Sequence, residues 1–367
     1  MSKARQLADL GNVYDDGALS HRNMVVNGGM TVAQRGISTS ITSAGTYFSP
    51  DRFEAGITGT DQLAATLSQS TVSPDGFANS LKFEVTTAET TLDADEIVTI
   101  RQKFEGQDLQ RIAKGTLSAK QVTASFWVRS SNTGTYILEL YDSDNTRQVS
   151  KSYTVNSANT WEYKTITFPS DATGAFDNDN NLSMFFMFWL AAGSNYTSGT
   201  LNTSWASATT ANRVVGQTNL IASTNDFYLT GVQLEIGDTS TPFEHRSYGD
   251  ELARCQRYYE KLGASGANGN YAGLAVGYSG STGTGGSFLI SASPKRVSPT
   301  VSSTGTLRYI APTSTGTWNL AGDSYIDTSG VGYINVNSYS PSVTTGHAMI
   351  LTANNDADAG IILDAEL

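Results

Sequence analysis

The chain has 367 residues, enough for two domains of ordinary size, and its 35 glycines and 10% aromatic residues favour an all-β protein with many turns. A net charge of −11, with only 23 basic residues spread thinly, excludes a nucleic-acid-binding surface, because such a surface needs clustered lysine and arginine. Cys255 is the single cysteine, which excludes an intrachain disulfide and a cysteine-based metal site.

The N-terminal residues 1–22 form a polar arm in which Leu7 and Leu10 would lie on one short amphipathic turn. A helix this short is marginal in water and orders only against a partner, so two interpretations stay open, a frayed terminus and a docking peptide. Lys3 and Arg5 are not followed by an apolar run of signal-peptide length. We therefore expect a protein that is made in a cytoplasm and has no membrane insertion.

Residues 23–246 alternate between apolar and polar positions, which predicts half-buried strands of an antiparallel sandwich. The clearest strand patterns are residues 81–86, 122–129, 136–141, 149–155, 161–168 and 227–236. A brief helix is predicted at residues 107–114, before Gly115. Trp127 is out of phase with its apolar neighbours, so its ring should face the other sheet surface, a helix or a second subunit.

One longer helix is predicted at residues 247–263. Ser247 would cap its start, with Asp250 in the position of a capping-box acid, and Gly263 would end it. Apolar side chains recur every three or four residues along one stripe, at Leu252, Cys255, Tyr259 and Leu262. This spacing is typical of a helix with a narrow apolar face, and we interpret the helix as a domain boundary.

Residues 264–367 form a second β region with glycine-rich turns. Its candidate strands are residues 271–278, 286–292, 306–311, 331–336, 347–352 and 360–363. The expected fold class is therefore all-β. Two antiparallel β-sandwich, jelly-roll-like domains (23–246 and 264–367) would be joined by one α-helix (247–263) and preceded by the short N-terminal arm (1–22).

Several short segments share a further feature. They are residues 22–30, 34–36, 51–53, 122–129, 227–236, 241–244, 254–259, 298–301 and 364–367. Together they resemble segments of bacteriophage tail-fibre and related virion proteins, and the first three are similar to the opening of a carbohydrate-binding-module-like jelly roll. The chain departs from the pattern where Lys295 and Arg296 replace a Met-Arg pair.

This resemblance implies a homotrimeric tail fibre in the virion. It implies attachment to phage tail or neck adaptor proteins through the arm, for which the candidate residues are Lys3, Arg5, Leu7 and Leu10. It also implies that the C-terminal region faces the host and recognises a surface polysaccharide or another receptor. A trimer is physically reasonable, because packing copies around an axis covers flat faces and strand edges and adds avidity. A head fibre or capsid decoration protein, and a polysaccharide-degrading tail protein, stay as alternatives.

The sequence gives no pattern typical of catalysis, so we expect a non-enzymatic protein with no cofactor and no metal. The histidines His21, His245 and His347 are scattered, and no nucleophile elbow accompanies them. Residues 177–181 offer oxygen ligands at calcium-loop spacing, but Leu182 stands where the loop needs glycine. A solvated turn is the preferred interpretation there.

Aromatic residues among glycine, serine, asparagine and aspartate are the remaining binding candidates. They are Tyr309, Trp318, Tyr325, Tyr333 and Tyr339. Such a mixture is typical of adaptable recognition surfaces, where rings give contact area and small polar residues give hydrogen bonds. As a group they are the predicted receptor-facing surface, although core packing is the default for any one of them.

Overall fold

The computed structural model describes residues 21–42, 44–263, 273–280, 286–312, 314–317, 319–320, 324–337 and 344–367. The attachment candidates Lys3, Arg5, Leu7 and Leu10 lie outside these residues. The chain divides into two compact units, a larger one of residues 1–251 with residue 367, and a smaller one of residues 252–366. None of the helices in the described ranges has the length and apolar run that a membrane span requires.

The larger unit consists mainly of strands. In chain order they are β1 (Ser38–Ile41), β2 (Gly45–Phe48), β3 (Glu54–Thr58), β4 (Ala64–Ser70), β5 (Ser80–Thr87), β6 (Ile97–Glu105), β7 (Val122–Ser130), β8 (Gly134–Asp142), β9 (Arg147–Val155), β10 (Glu162–Phe168), β11 (Leu182–Ala192), β12 (Ala206–Ser207) and β13 (Asp226–Ile236). Short helices lie between them, α1 (Gly106–Leu109), α2 (Ser194–Thr197) and the 3-10 turns Gln110–Ile112, Thr210–Asn212 and Leu220–Ala222. The predicted strands and the brief helix before Gly115 are confirmed.

These strands form two antiparallel sheets that pack face to face. One sheet has six strands in the order β1-β4-β5-β13-β7-β10, and the other has seven in the order β12-β9-β8-β11-β6-β3-β2. The inward alternate residues of both sheets share one core. Phe126 from the first sheet and Phe188 from the second meet edge to face with ring centroids 5.0 Å apart. The larger unit is therefore a β-sandwich of the predicted class.

The helix predicted at residues 247–263 is shorter than the apolar spacing indicated. It is α3 (Tyr248–Gln256), and its start is capped as predicted, since the Ser247 hydroxyl accepts the backbone N–H of Asp250 at 3.2 Å. The second half of the prediction is wrong, because Tyr259–Gly263 is strand β14. Its backbone pairs with the last strand, and paired strand hydrogen bonds outweigh a weak local helix preference.

The smaller unit is also all-β. After β14 its strands are β15 (Gly273–Ser279), β16 (Gly286–Ser291), β17 (Thr300–Thr304), β18 (Leu307–Ala311), β19 (Ser314–Thr317), β20 (Asn319–Leu320), β21 (Tyr325–Ile326), β22 (Val331–Asn337), β23 (Ala348–Ala353) and β24 (Gly360–Asp364). One sheet has the order β14-β24-β17, and the other has the order β19-β18-β23-β15-β16-β22-β20, with β21 also paired to β22. Both sheets contribute to one core, in which Ile361 and Leu363 of the small sheet join Phe288 and Leu351 of the large one.

Candidate functional site

The outer face of the large sheet in the smaller unit is unusually apolar. In β16, Phe288 and Ile290 point into the core while Leu289 between them is exposed. The same alternation in β15 exposes Val276 and Tyr278. Outward positions of a half-buried strand are normally polar, so large apolar side chains at these positions need a specific explanation.

Cross-strand pairing joins these side chains into one row. Ile350 pairs with Val276, Val276 with Leu289, Leu289 with Tyr333, and Tyr333 with Tyr325. Directly opposite residues of antiparallel strands lie on the same face, so the row crosses β23, β15, β16, β22 and β21 without interruption. We call these five residues the exposed stripe.

The aromatic end of the exposed stripe has two half-exposed rings. Tyr325 is 49% exposed and Tyr333 is 44% exposed, and their ring centroids are 6.3 Å apart at an interplanar angle of 46°. The turn between β21 and β22 holds the two strands together. There the Asp327 carboxylate accepts the Ser329 hydroxyl at 2.6 Å, and this bond with backbone N–H donors lowers the pKa of Asp327. A fixed turn therefore presents both rings together.

A hollow of about 490 Å³ lies over the middle of the exposed stripe. Its lining combines stripe residues with a second row formed by Tyr278, Ser287 and Asn335. The Ser287 hydroxyl donates to Asn335 Oδ1 at 2.6 Å. Gly277 lets the strands approach, because a Cβ there would lie 2.0 Å from the carbonyl oxygen of Ser287. Apolar walls with a few placed polar groups are typical of ligand sites.

The five aromatic residues predicted as receptor-facing do not share one location. Tyr325 and Tyr333 lie together on the exposed stripe. Tyr309 is fully buried against the core, so it is not part of any surface, and the prediction is wrong for this residue. Trp318 and Tyr339 lie outside the described residues. The apolar stripe residues Val276, Leu289 and Ile350 were missed, although their out-of-phase positions in the strand patterns were a usable signal.

A second aromatic surface lies on the six-stranded sheet of the larger unit. Trp127 faces outward, as its phase predicted, and its ring lies 5.4 Å from that of Tyr163, which is 45% exposed. Nearby, the Arg129 guanidinium lies 4.8 Å from the ring centroid of Tyr228. Tyr228 itself is buried beneath these groups. Trp161 lies on the same face, with its ring 6.1 Å from that of Tyr228, so this surface is a second candidate for stacking on a ligand.

The calcium-like segment at residues 177–181 forms a local turn. The Asp179 carboxylate accepts hydrogen bonds from the backbone N–H and the side-chain amide of Asn181. The backbone N–H of Asp177 donates to the carboxylate of Asp144. Hydrogen bonds within the segment thus occupy the Asp179 carboxylate.

No protein-family model and no curated protein matches the chain. A solved structure similar to part of it is the enzymatically active domain of tailspike protein 4 of bacteriophage CBA120, with 14% identity and a TM-score of 0.30 over 59% of this chain. The match spans only 21% of that tailspike chain.

Two carbohydrate-binding modules are also similar to part of the chain. One is a CBM61 module solved with β-1,4-galactotriose, with 11% identity and a TM-score of 0.29 over 59% of this chain and 99% of the module. The other is a CBM22-1 xylan-binding domain from Paenibacillus barcinonensis, with 10% identity and a TM-score of 0.27 over 59% of this chain and 96% of the domain. With identities and TM-scores this low, the matches say nothing about what this chain binds.

Proposed function

We propose that this chain is a non-enzymatic subunit of a phage fibre that recognises a host-surface glycan through the aromatic end of the exposed stripe. The observation that supports this most directly is the pair of half-exposed rings, Tyr325 and Tyr333, held by one turn. A ring face provides rigid contact area for the apolar side of a sugar. The amide of Asn335 and the hydroxyl of Ser287 in the adjacent row supply polar partners for sugar hydroxyls.

The test is glycan binding by single tyrosine variants of the full chain. Tyr333→Ala removes one stacking ring, and a central ring contributes about 2 kcal/mol to binding, so the Kd should rise about 30-fold. Tyr163→Ala is the matched control, since its ring is as exposed but lies on the larger unit. Isothermal titration against host polysaccharide measures both. Loss of binding in Tyr163→Ala with normal binding in Tyr333→Ala would move the site to the larger unit.

The aliphatic end of the exposed stripe favours a second role, packing between copies of the chain in a homotrimer. Val276, Leu289 and Ile350 are exposed neighbours with no polar atoms in their side chains, as in a subunit interface. Analytical ultracentrifugation distinguishes the two roles. Leu289→Asp should dissociate a trimer and Tyr333→Ala should not, whereas a wild-type protein that is monomeric at micromolar concentration contradicts self-association.

The location on a virion rests on the sequence resemblance to tail-fibre proteins, and attachment through Lys3, Arg5, Leu7 and Leu10 belongs to the same proposal. Cryo-electron microscopy of the particle distinguishes a tail fibre from a head fibre or capsid decoration protein. Incubation with host polysaccharide tests the non-enzymatic part. New reducing ends that depend on the protein would establish a degrading activity instead.

A further inference from the structure

Three carboxylates from separate loops meet at one end of the larger unit. Asp61 follows β3, Glu89 follows β5, and Glu96 precedes β6. Strands β4 and β5 are antiparallel, so the loop before β4 and the loop after β5 lie at the same end. Carboxylate oxygens of all three residues lie within 4.8 Å of one another.

Two of these carboxylates are removed from water. Glu89 is 0% exposed and Glu96 is 2% exposed. The backbone N–H of Gln62 donates to Glu89 Oε2 at 2.9 Å, and that of Asp93 donates to Glu96 Oε2 at 2.7 Å. These bonds fix the direction of both side chains. An amide N–H satisfies one oxygen but does not balance a buried negative charge.

Two buried oxygens beside these loops lack a hydrogen-bond partner among the described residues. Glu89 Oε1 is fully buried and has no hydrogen-bond partner among the described residues. The hydroxyl of Thr60, one residue before Asp61, is buried without a partner as well. A Cβ at Gly59 would lie 3.0 Å from Glu96 Cγ, so the segment that carries Thr60 and Asp61 packs directly on Glu96. Unsatisfied buried oxygens are rare, and each one requires a cause.

We propose that Asp61, Glu89 and Glu96 bind a divalent cation, and that the cation is calcium. All three ligands are hard oxygen donors, without histidine or cysteine, which disfavours zinc and copper. Calcium accepts 6–8 oxygen ligands in irregular arrangements, so it suits carboxylates from separate loops better than magnesium, which requires near-ideal octahedral geometry.

The electrostatic environment supports the same assignment. Glu89 and Glu96 are both buried, and their carboxylate oxygens lie within 4.8 Å of each other and of those of Asp61. Negative charge is therefore concentrated where it is poorly solvated. A bound cation would neutralise it and join the β3–β4 loop to the β5–β6 loop, each of which connects one sheet of the sandwich to the other. Its expected effect is to stabilise the larger unit.

The proposal is tested on the full chain after removal of metals with a chelator. Thermal unfolding is followed without metal and with Ca²⁺ or Mg²⁺, and Ca²⁺ binding is measured by isothermal titration. Calcium at about 100-fold above its Kd should raise the unfolding temperature by about 5–10 °C. Glu89→Gln should abolish this rise. Asp75→Asn should retain it, because the exposed Asp75 lies in the β4–β5 loop, at the other end of β4.

Asp61→Asn serves as a second variant in case Glu89→Gln does not fold, since Asp61 is exposed and its replacement leaves the core intact. It should also weaken the calcium response, by about tenfold or more in Kd. Equal calcium responses in wild type, Asp61→Asn and Glu89→Gln would overturn the site. A response to Mg²⁺ but not to Ca²⁺ would overturn the assignment to calcium. Neither result depends on glycan binding by the smaller unit.

Discussion

The substitution Arg213→Met should destabilise the larger unit by about 3–5 kcal/mol, because it leaves a buried carboxylate without its charged partner. Glu139 of β8 is 0% exposed on the outer side of its sheet. The Arg213 guanidinium donates two bonds to it, from Nε to Oε1 at 2.9 Å and from Nη2 to Oε2 at 2.8 Å. Paired bonds of this geometry are among the stronger ion pairs in proteins.

The magnitude follows from what remains after the change. Among the described residues, only the indole N–H of Trp189 would still donate to Glu139, at 2.9 Å. The guanidinium also lies 4.8 Å from the ring centroid of Tyr141 and 5.0 Å from that of Trp189. Methionine keeps much of this apolar contact, so most of the loss is electrostatic. In a unit of this size, 1 kcal/mol corresponds to about 2–4 °C, which predicts a fall of about 6–20 °C in unfolding temperature.

Thermal unfolding followed by tryptophan fluorescence measures this fall, and Trp189 reports on the site itself. The double variant Glu139→Gln with Arg213→Met should recover part of the loss, because it removes the unpaired charge. Arg129→Met is the control, since Arg129 also lies over an aromatic ring, that of Tyr228, but within the described part of the chain its side chain donates only to Asn159 at the surface. A fall no larger than that of the control, or no recovery in the double variant, would refute the electrostatic argument.

Three further predictions concern other parts of the chain. Lys114→Met should lower the unfolding free energy by about 3–5 kcal/mol in urea titrations, because it leaves the buried Asp142 without its cation. Tyr309→Ala should lower the unfolding free energy of the smaller unit by about 3–5 kcal/mol, because Tyr309 is fully buried, and Tyr325→Ala should lower it by less than about 1 kcal/mol. Limited proteolysis of that unit compares the two variants. Burial raises the pKa of Glu162, but hydrogen bonds, the largest of them from Lys164, lower it to about 2 from its ordinary 4.5. Its stabilising contribution is thus complete above pH 4.5 and is lost as the pH falls towards 2, so acid titrations should destabilise wild type more than Glu162→Gln over that range.

Period-two alternation predicted six strands of the larger unit, because the pattern is local to each strand: β5, β7, β8, β9, β10 and β13. The helical spacing of Leu252, Tyr259 and Leu262 was misleading, because Tyr259–Gly263 is a strand. Those residues form a strand because β24, about a hundred positions further along the chain, pairs with them. Pairing between distant segments leaves no local trace, so a short apolar run before a glycine is ambiguous without it.

The candidate site shows a second limit of sequence reasoning. Tyr309 and Tyr333 both lie in alternating strands among small polar residues, yet one is buried and the other is half exposed. Which face of a sheet meets the core is decided by the opposing sheet, here the one that contains Ile361. The carboxylates of Glu89 and Glu96 were missed for a similar reason, since a site built from separate loops has no characteristic spacing.

The contrast between the two units is the strongest argument for where function lies. In the larger unit, the chain covers part of its outer faces and leaves the surface around Trp127 and Tyr163 open. Val214 and its neighbours pack over the seven-stranded sheet. On the six-stranded sheet, the backbone N–H and the hydroxyl of Thr241 donate hydrogen bonds to the carboxylate of Glu235. The large side chains left exposed there, such as Val72 and Leu117, are scattered, and scattered apolar residues are ordinary on protein surfaces.

In the smaller unit, exposed apolar side chains adjoin one another across five strands. A continuous row of this kind opposes solubility unless a ligand or another subunit covers it. Ser287 and Asn335 occupy other outward positions on the same sheet, so polar side chains are accommodated there and the apolar row needs an explanation of its own. The exposed stripe is therefore the first place to test for a partner, and the Tyr333→Ala and Leu289→Asp variants distinguish the two partners proposed for it, a sugar and a second copy of the chain.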